Sequence, residues 1–141
     1  MKHAAIVLLC LSVLVAGCQS AKTPEDVAAR TFGKQFSDGQ GLSRVTFAGN
    51  TLVIEVNMKY SKNFKQELGL LLSPRIREIY RSSEADRVKF QVSLPYSDQY
   101  GKVEWREKAS FVFTRALYSK INWSNFNQFS LLDIAEDVKI N

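Results

Sequence analysis

Histidine and cysteine are nearly missing from this chain: His3, Cys10 and Cys18 are the only ones, and all stand near its start. From Gln19 onward there is no imidazole and no thiol. That stretch has no Ser-His-Asp or Cys-His nucleophilic site, no imidazole acid or base, no disulfide and no ordinary His/Cys zinc site. Proline and glycine are scarce too, three and seven residues in 141, which excludes collagen-like and low-complexity chains. Long hydrophobic runs are also lacking. The apolar stretch Ala4 to Leu14, broken by Ser12, falls well short of the roughly 20 residues a helix needs to cross a bilayer. The remainder, with 45% hydrophobic, 11% aromatic and 23% charged residues, suffices for one folded core.

Met1-Lys2-His3, the apolar run and the small residues after it read as a removable export signal. Its end, Val15-Ala16-Gly17-Cys18, resembles the lipobox of bacterial lipoproteins: an aliphatic residue, two small residues, then the cysteine that is lipidated and becomes residue one. Cys10 follows the bulky pair Leu8-Leu9, which does not suit the small position before cleavage. The resemblance implies a signal peptide at 1–17, a lipidated Cys18 with a short tether at 18–23, and a single domain at 24–141. It also implies diacylglycerol on Cys18 and, in a Gram-negative cell, a further fatty acyl chain such as palmitate. Each buried methylene contributes about 0.8 kcal/mol, so two or three chains hold a protein at its membrane effectively permanently. Gln19 is not the aspartate of an inner-membrane retention signal, which by the same analogy points to the outer membrane of a Gram-negative bacterium. A tether of five residues, Gln19 to Thr23, reaches at most about 18 Å and keeps the domain close to the headgroups.

What is left for catalysis is carboxylate, lysine, tyrosine or lysine-activated serine chemistry. Glu25 and Asp26 follow Thr23-Pro24 and suit the first turn of a helix, where negative charge complements the dipole. Glu84 and Asp86 fall in a polar connection, and Asp133, Glu136 and Asp137 lack the glycine turn and alternating ligands of a calcium loop. Asp38-Gly39-Gln40-Gly41 stands between a helix and a strand in the reverse order to a nucleotide-binding loop and reads as a turn. No catalytic residue, metal ligand or cofactor is assigned. Carboxylate-based action on a glycan is the surviving enzymatic alternative.

Hydropathy spacing predicts a helix from Pro24 to Phe36, capped by Thr23, then strands Leu42 to Phe47 and Leu52 to Met58 joined by Gly49-Asn50. Ser61 to Arg81 is helical by spacing, but a straight helix puts Arg75 inside the apolar stripe, so Ser73-Pro74 is expected to kink and rephase it. Strands at Arg87 to Leu94 and Val103 to Thr114 follow, joined by a long loop from Pro95 to Lys102. Glu107 interrupts the stripe Val103, Trp105, Ala109, Phe111, Phe113 and marks a bulge, an edge or an overhang. A helical turn at Ala116 to Lys120, an irregular Asn122 to Phe126 and a short helix near Ser130 to Val138 end the chain. The expected fold is α+β: a four-stranded antiparallel sheet with the kinked central helix on one face and short N- and C-terminal helices.

Net charge is +5, and removal of Lys2 lowers it by one. Around the central helix the excess is basic, and Lys62, Lys65, Arg77 and Arg81 form a candidate patch for anionic headgroups, acidic glycans or an acidic protein. Tyr96 and Tyr100, in the loop near Trp105, form a candidate stacking or interface surface, while Trp123 is expected to plug the core. An exported, anchored protein has little occasion to meet nucleic acid. The leading expectation is therefore a non-catalytic envelope lipoprotein with a binding or assembly role, whose partners are the membrane through its anchor and an envelope protein or cell-wall component. The alternative is a defence or exclusion lipoprotein, such as an inhibitor of an incoming lytic enzyme or phage system.

Overall fold

The computed structural model describes residues 23–33 and 40–141. The signal at 1–17, Cys18 and the tether up to residue 22 lie outside the described residues, as do Phe36, Asp38 and Gly39. Helix α1 (Pro24–Phe32) begins as its sequence predicts. The Thr23 hydroxyl accepts from the Asp26 amide at 3.2 Å, the Asp26 carboxylate accepts from the Thr23 amide at 3.2 Å, and Pro24 occupies the first turn. The helix ends at Phe32 instead of Phe36, because Gly33 turns the backbone to φ 63°.

The sheet differs from expectation. It has five strands and is mixed, in the order β1 (Gly41–Ala48), β2 (Thr51–Asn57), β3 (Arg87–Ser97), β4 (Val103–Thr114) and β5 (Glu136–Ile140). Strands β2 and β3 run parallel, with Thr51 beside Arg87 and Asn57 beside Ser93, and the other neighbours are antiparallel. The reason lies in the connection. Helix α2 (Phe64–Ser82) has 19 residues, a length of about 28 Å, enough to carry the chain back past β2 so that β3 starts beside the start of β2.

Strand β5 takes the place of the end of the expected C-terminal helix, of which only Leu131–Ile134 is α-helical. Helix α3 (Arg115–Lys120), a 3-10 turn (Gln128–Ser130) and the four-residue α4 (Leu131–Ile134) come first, and Asp137 then takes a positive φ of 52°. The last residues are drawn to the open side of β4, where the Asn141 amide donates to the Lys108 carbonyl at 2.9 Å. Every β5 residue is exposed, so no buried stripe announced it in the sequence.

Core residues alternate along the strands as expected: Leu52, Ile54 and Val56; Val88, Phe90, Val92 and Leu94; Ala109, Phe111 and Phe113. The buried side of α2 faces them. Helix α2 is continuous through Pro74, and Phe64, Leu68, Leu72, Ile76, Ile79 and Tyr80 form one stripe across it. The expected rephasing is absent for a physical reason. Pro74 is exposed and deprives only the Leu70 carbonyl, itself on an exposed residue, of its helical donor, so water can serve that group. Arg75 stays beside the stripe, where its guanidinium covers the Phe32 ring at 5.3 Å and donates to the Leu71 carbonyl at 2.6 Å.

Helices α1 and α2 lie side by side and antiparallel: Phe32 sits under Arg75, while Arg30 is near enough to Glu78 to act on its charge. The start of α1 therefore lies at the same end of the molecule as the end of α2. Among the described residues no helix is long and apolar enough to cross a membrane.

Candidate functional site

Along α2, Lys65 and Arg77 are separated by about 18 Å, and Lys65 and Arg81 point roughly 160° apart around the axis. The candidate basic patch is thus two sites. Lys62 and Lys65 border a hollow with Phe64 and Ile140 at the start of α2, near the end of β5. Arg77 and Arg81 border another at the end of α2, together with Ser73, Pro74, Glu78, Trp123, Phe126 and Gln128. The second has a volume of about 330 Å³.

Its floor and one wall come from α2, and the opposite wall comes from residues 123–128. Trp123 is fixed in a row of rings, 5.3 Å from Tyr118, 6.4 Å from Phe113 and 5.5 Å from Phe126, and its indole N–H donates to the Tyr118 carbonyl at 3.2 Å. It plugs the core edge as expected and also forms the wall of the hollow. The segment sits this close because of Gly69. A Cβ at that position would lie 2.0 Å from the Gln128 carbonyl oxygen, so only glycine lets the 3-10 turn rest on the helix. A glycine inside a helix costs about 1 kcal/mol against alanine, and that was the one sequence signal for this close approach.

The polar groups of the hollow are ordered. Glu78 accepts from the Ser82 hydroxyl at 2.7 Å and pairs with Arg81 at 2.7 Å. The Ser82 hydrogen bond, with Arg81 and Arg30 adding to it, holds the Glu78 carboxyl below its usual range. This row pins one side of the Arg81 guanidinium. Arg77 has no hydrogen-bond or ion-pair partner among the described residues. Ser73 is 2% exposed, and its hydroxyl is buried without a hydrogen-bond partner among the described residues.

Just beyond this end of α2, Arg115 does structural work. Its guanidinium donates to the carbonyls of Tyr80 (3.1 Å), Ser83 (2.6 Å) and Ala85 (2.9 Å) and lies over the Tyr80 ring at 5.1 Å. A cation there satisfies carbonyls at the helix end and complements its dipole. Tyr80 faces the core, donates to the Phe113 carbonyl, and burial pushes its phenol well above the usual range.

The tyrosine surface is also divided. The β3–β4 register shifts beside Val92, where Ala109 and then Glu107 are the successive partners, so Lys108 is a bulged extra residue. The bulge inverts the pleat. Arg106 is paired with Leu94 and Glu104 with Tyr96, whereas Trp105 is paired with Pro95. Tyr96 and Trp105 therefore lie on opposite faces of the arm, and the stripe expected from Val103 to Phe113 is broken at the bulge. Tyr96 is 41% exposed under the Arg106 guanidinium, at 5.4 Å, and Tyr100 at the tip is 85% exposed. Cys18, the lipidation candidate, lies outside the described residues. Among those residues no group of three or more His, Cys, Asp or Glu side chains is placed to hold a metal ion.

No protein-family model, no curated protein and no solved structure matches this chain.

Proposed function

We propose that this chain is a lipid-anchored protein of the bacterial envelope that binds, or helps to assemble, an envelope component without catalysing a reaction. The observation that carries the reading is Val15-Ala16-Gly17-Cys18 at the end of a short apolar run. Two features support a binding role. The chain from Gln19 onward has neither histidine nor cysteine, and the hollow at the end of α2 gathers two arginines and two aromatic rings. With α1 antiparallel to α2, Thr23 and the start of α1 lie at the end of α2 that bears this hollow. The β3–β4 arm then points to the opposite end.

In a Gram-negative cell supplied with labelled fatty acid, the wild-type chain incorporates label and is cleaved before Cys18. Cys18→Ala leaves an uncleaved, unlabelled precursor. Normal maturation of that variant overturns the anchoring. In-cell crosslinking with mass spectrometry then identifies the bound component.

The arm favours a second reading, inhibition of a lytic enzyme. A hairpin that projects past β2 with Tyr96 and Tyr100 exposed has the shape of a wedge for a partner's cleft. Protection of the cells against an added lytic enzyme, lost on Tyr100→Ser, would favour this reading over the first.

A further inference from the structure

We infer that the hollow between the end of α2 and residues 123–128 is a binding site for a sugar ring that carries an anionic group, a carboxylate or a phosphate. The inference deepens the binding role proposed above by naming the class of ligand, and it rests on that reading only for where the ligand would be met. Four observations meet at one place. Arg77 is free among the described residues, and Arg81 is oriented by the Glu78–Ser82 row, so two guanidiniums face one opening. Paired, oriented guanidiniums suit bidentate recognition of carboxylate or phosphate. Opposite them, Trp123 and Phe126 offer fixed ring surfaces, and the Trp123 N–H is already committed to Tyr118. Their role toward a ligand is therefore packing against C–H groups, which is what one face of a sugar ring presents.

At the floor, the buried Ser73 hydroxyl lacks, among the described residues, the partner that buried polar groups normally have. Ser73 lines the hollow, so its hydroxyl is the polar group there left to pair with a ligand hydroxyl or oxyanion. Glu78 at the rim, held ionised by its neighbours, has capacity left to accept from a sugar hydroxyl. The volume, about 330 Å³, is at the lower end of ligand sites and fits one ring with its substituent. The site is preformed, since Gly69 and the aromatic row hold the wall in place without a ligand.

One ligand chemistry here has two sources, a carboxylated sugar of a glycan and a phosphorylated sugar of a glycolipid headgroup. The full chain is titrated in detergent with Trp105→Phe, which leaves Trp123 as its remaining tryptophan, and fluorescence is read against glucuronate, glucosamine 1-phosphate, glucose and inorganic phosphate. A saturable change is expected with at least one of the two anionic sugars, at least tenfold weaker with glucose and with inorganic phosphate. A response to glucuronate alone assigns the glycan source, and a response to the phosphate ester alone assigns the glycolipid source. Arg77→Gln should weaken binding at least tenfold with an unchanged melting temperature. Ser73→Ala should weaken it while leaving stability equal or higher, because it removes an unsatisfied hydroxyl. Absence of saturation, an equal response to glucose or inorganic phosphate, or wild-type affinity in folded Arg77→Gln overturns the inference. Trp123 fluorescence does not depend on lipid at Cys18, so the failure of this site and the failure of the anchoring reading are separate results.

Discussion

The two ends of α2 are built in opposite ways. Toward its C-terminal end, Arg115 ties three carbonyls and four aromatic rings brace the wall of the hollow, while the 3-10 turn that follows this wall is seated on the first half of the helix at Gly69. At the other end the β3–β4 arm continues past the last β2 partner, Asn57, and beyond Leu94 its residues are half-buried or exposed. The first end is held by contacts between segments distant in sequence, and the second by the hairpin's own ladder. A pocket that must keep its shape belongs on the first, and a surface that adapts to a partner belongs on the second.

That contrast can be broken by mutation. The sheet core beneath both ends sets the scale: Phe111, stacked on Phe90 with ring centres 5.1 Å apart, should cost about 3 to 5 kcal/mol when truncated to Ala, read by urea unfolding. A loss below about 1 kcal/mol would mean that α2 does not seal this face. Next is Arg115→Met, which keeps much of the stem and removes the guanidinium. Charge-assisted bonds contribute roughly 1.5 to 3 kcal/mol each and overlap here, so a total loss of about 2 to 3 kcal/mol is expected, and Arg115→Lys should recover only part of it.

Gly69→Ala should cost about 1 to 3 kcal/mol, the range for overpacking, and should also shift Trp123 emission because the 3-10 turn must move off the helix. A stability gain, as expected for alanine in an unobstructed helix, would show that this close approach is not maintained in solution. The smallest effect belongs to the arm. Tyr96→Ala and Tyr100→Ser should each stay within about 0.5 kcal/mol of wild type in the same unfolding assay. A cost above about 1 kcal/mol at Tyr100 would erase the distinction between the two ends.

Much of the scaffold was legible for local reasons. Thr23-Pro24 with Asp26 three residues after the cap specifies a helix start, Gly49-Asn50 supports a hairpin turn, and the alternation in β2, β3 and the second half of β4 marks the buried face. The candidate site was half legible. Arg77 and Arg81 stood out as charge on an amphipathic helix, but Trp123 was read only as a core residue, Ser73 only as part of a kink at Pro74, and Gly69 was given no role. Tyr96 and Trp105 were grouped by sequence proximity, and one extra residue at Lys108 put them on opposite faces.

The sequence alone determined where α1 starts, which side chains of β2 and β3 are buried, and the absence of imidazole and thiol chemistry from Gln19 onward. These depend on residue identity and on spacing within one element, and both are written along the chain. Tertiary structure decided the rest: the parallel pairing of β2 with β3, the recruitment of β5 to the edge of β4, the division of the basic residues between two ends of α2, and the meeting of Ser73 and Arg77 with Trp123. Each of these depends on which segments a connection brings side by side. Strand direction follows from the crossover by α2, and β5 forms because β4 offers unpaired backbone groups, although no β5 side chain is buried.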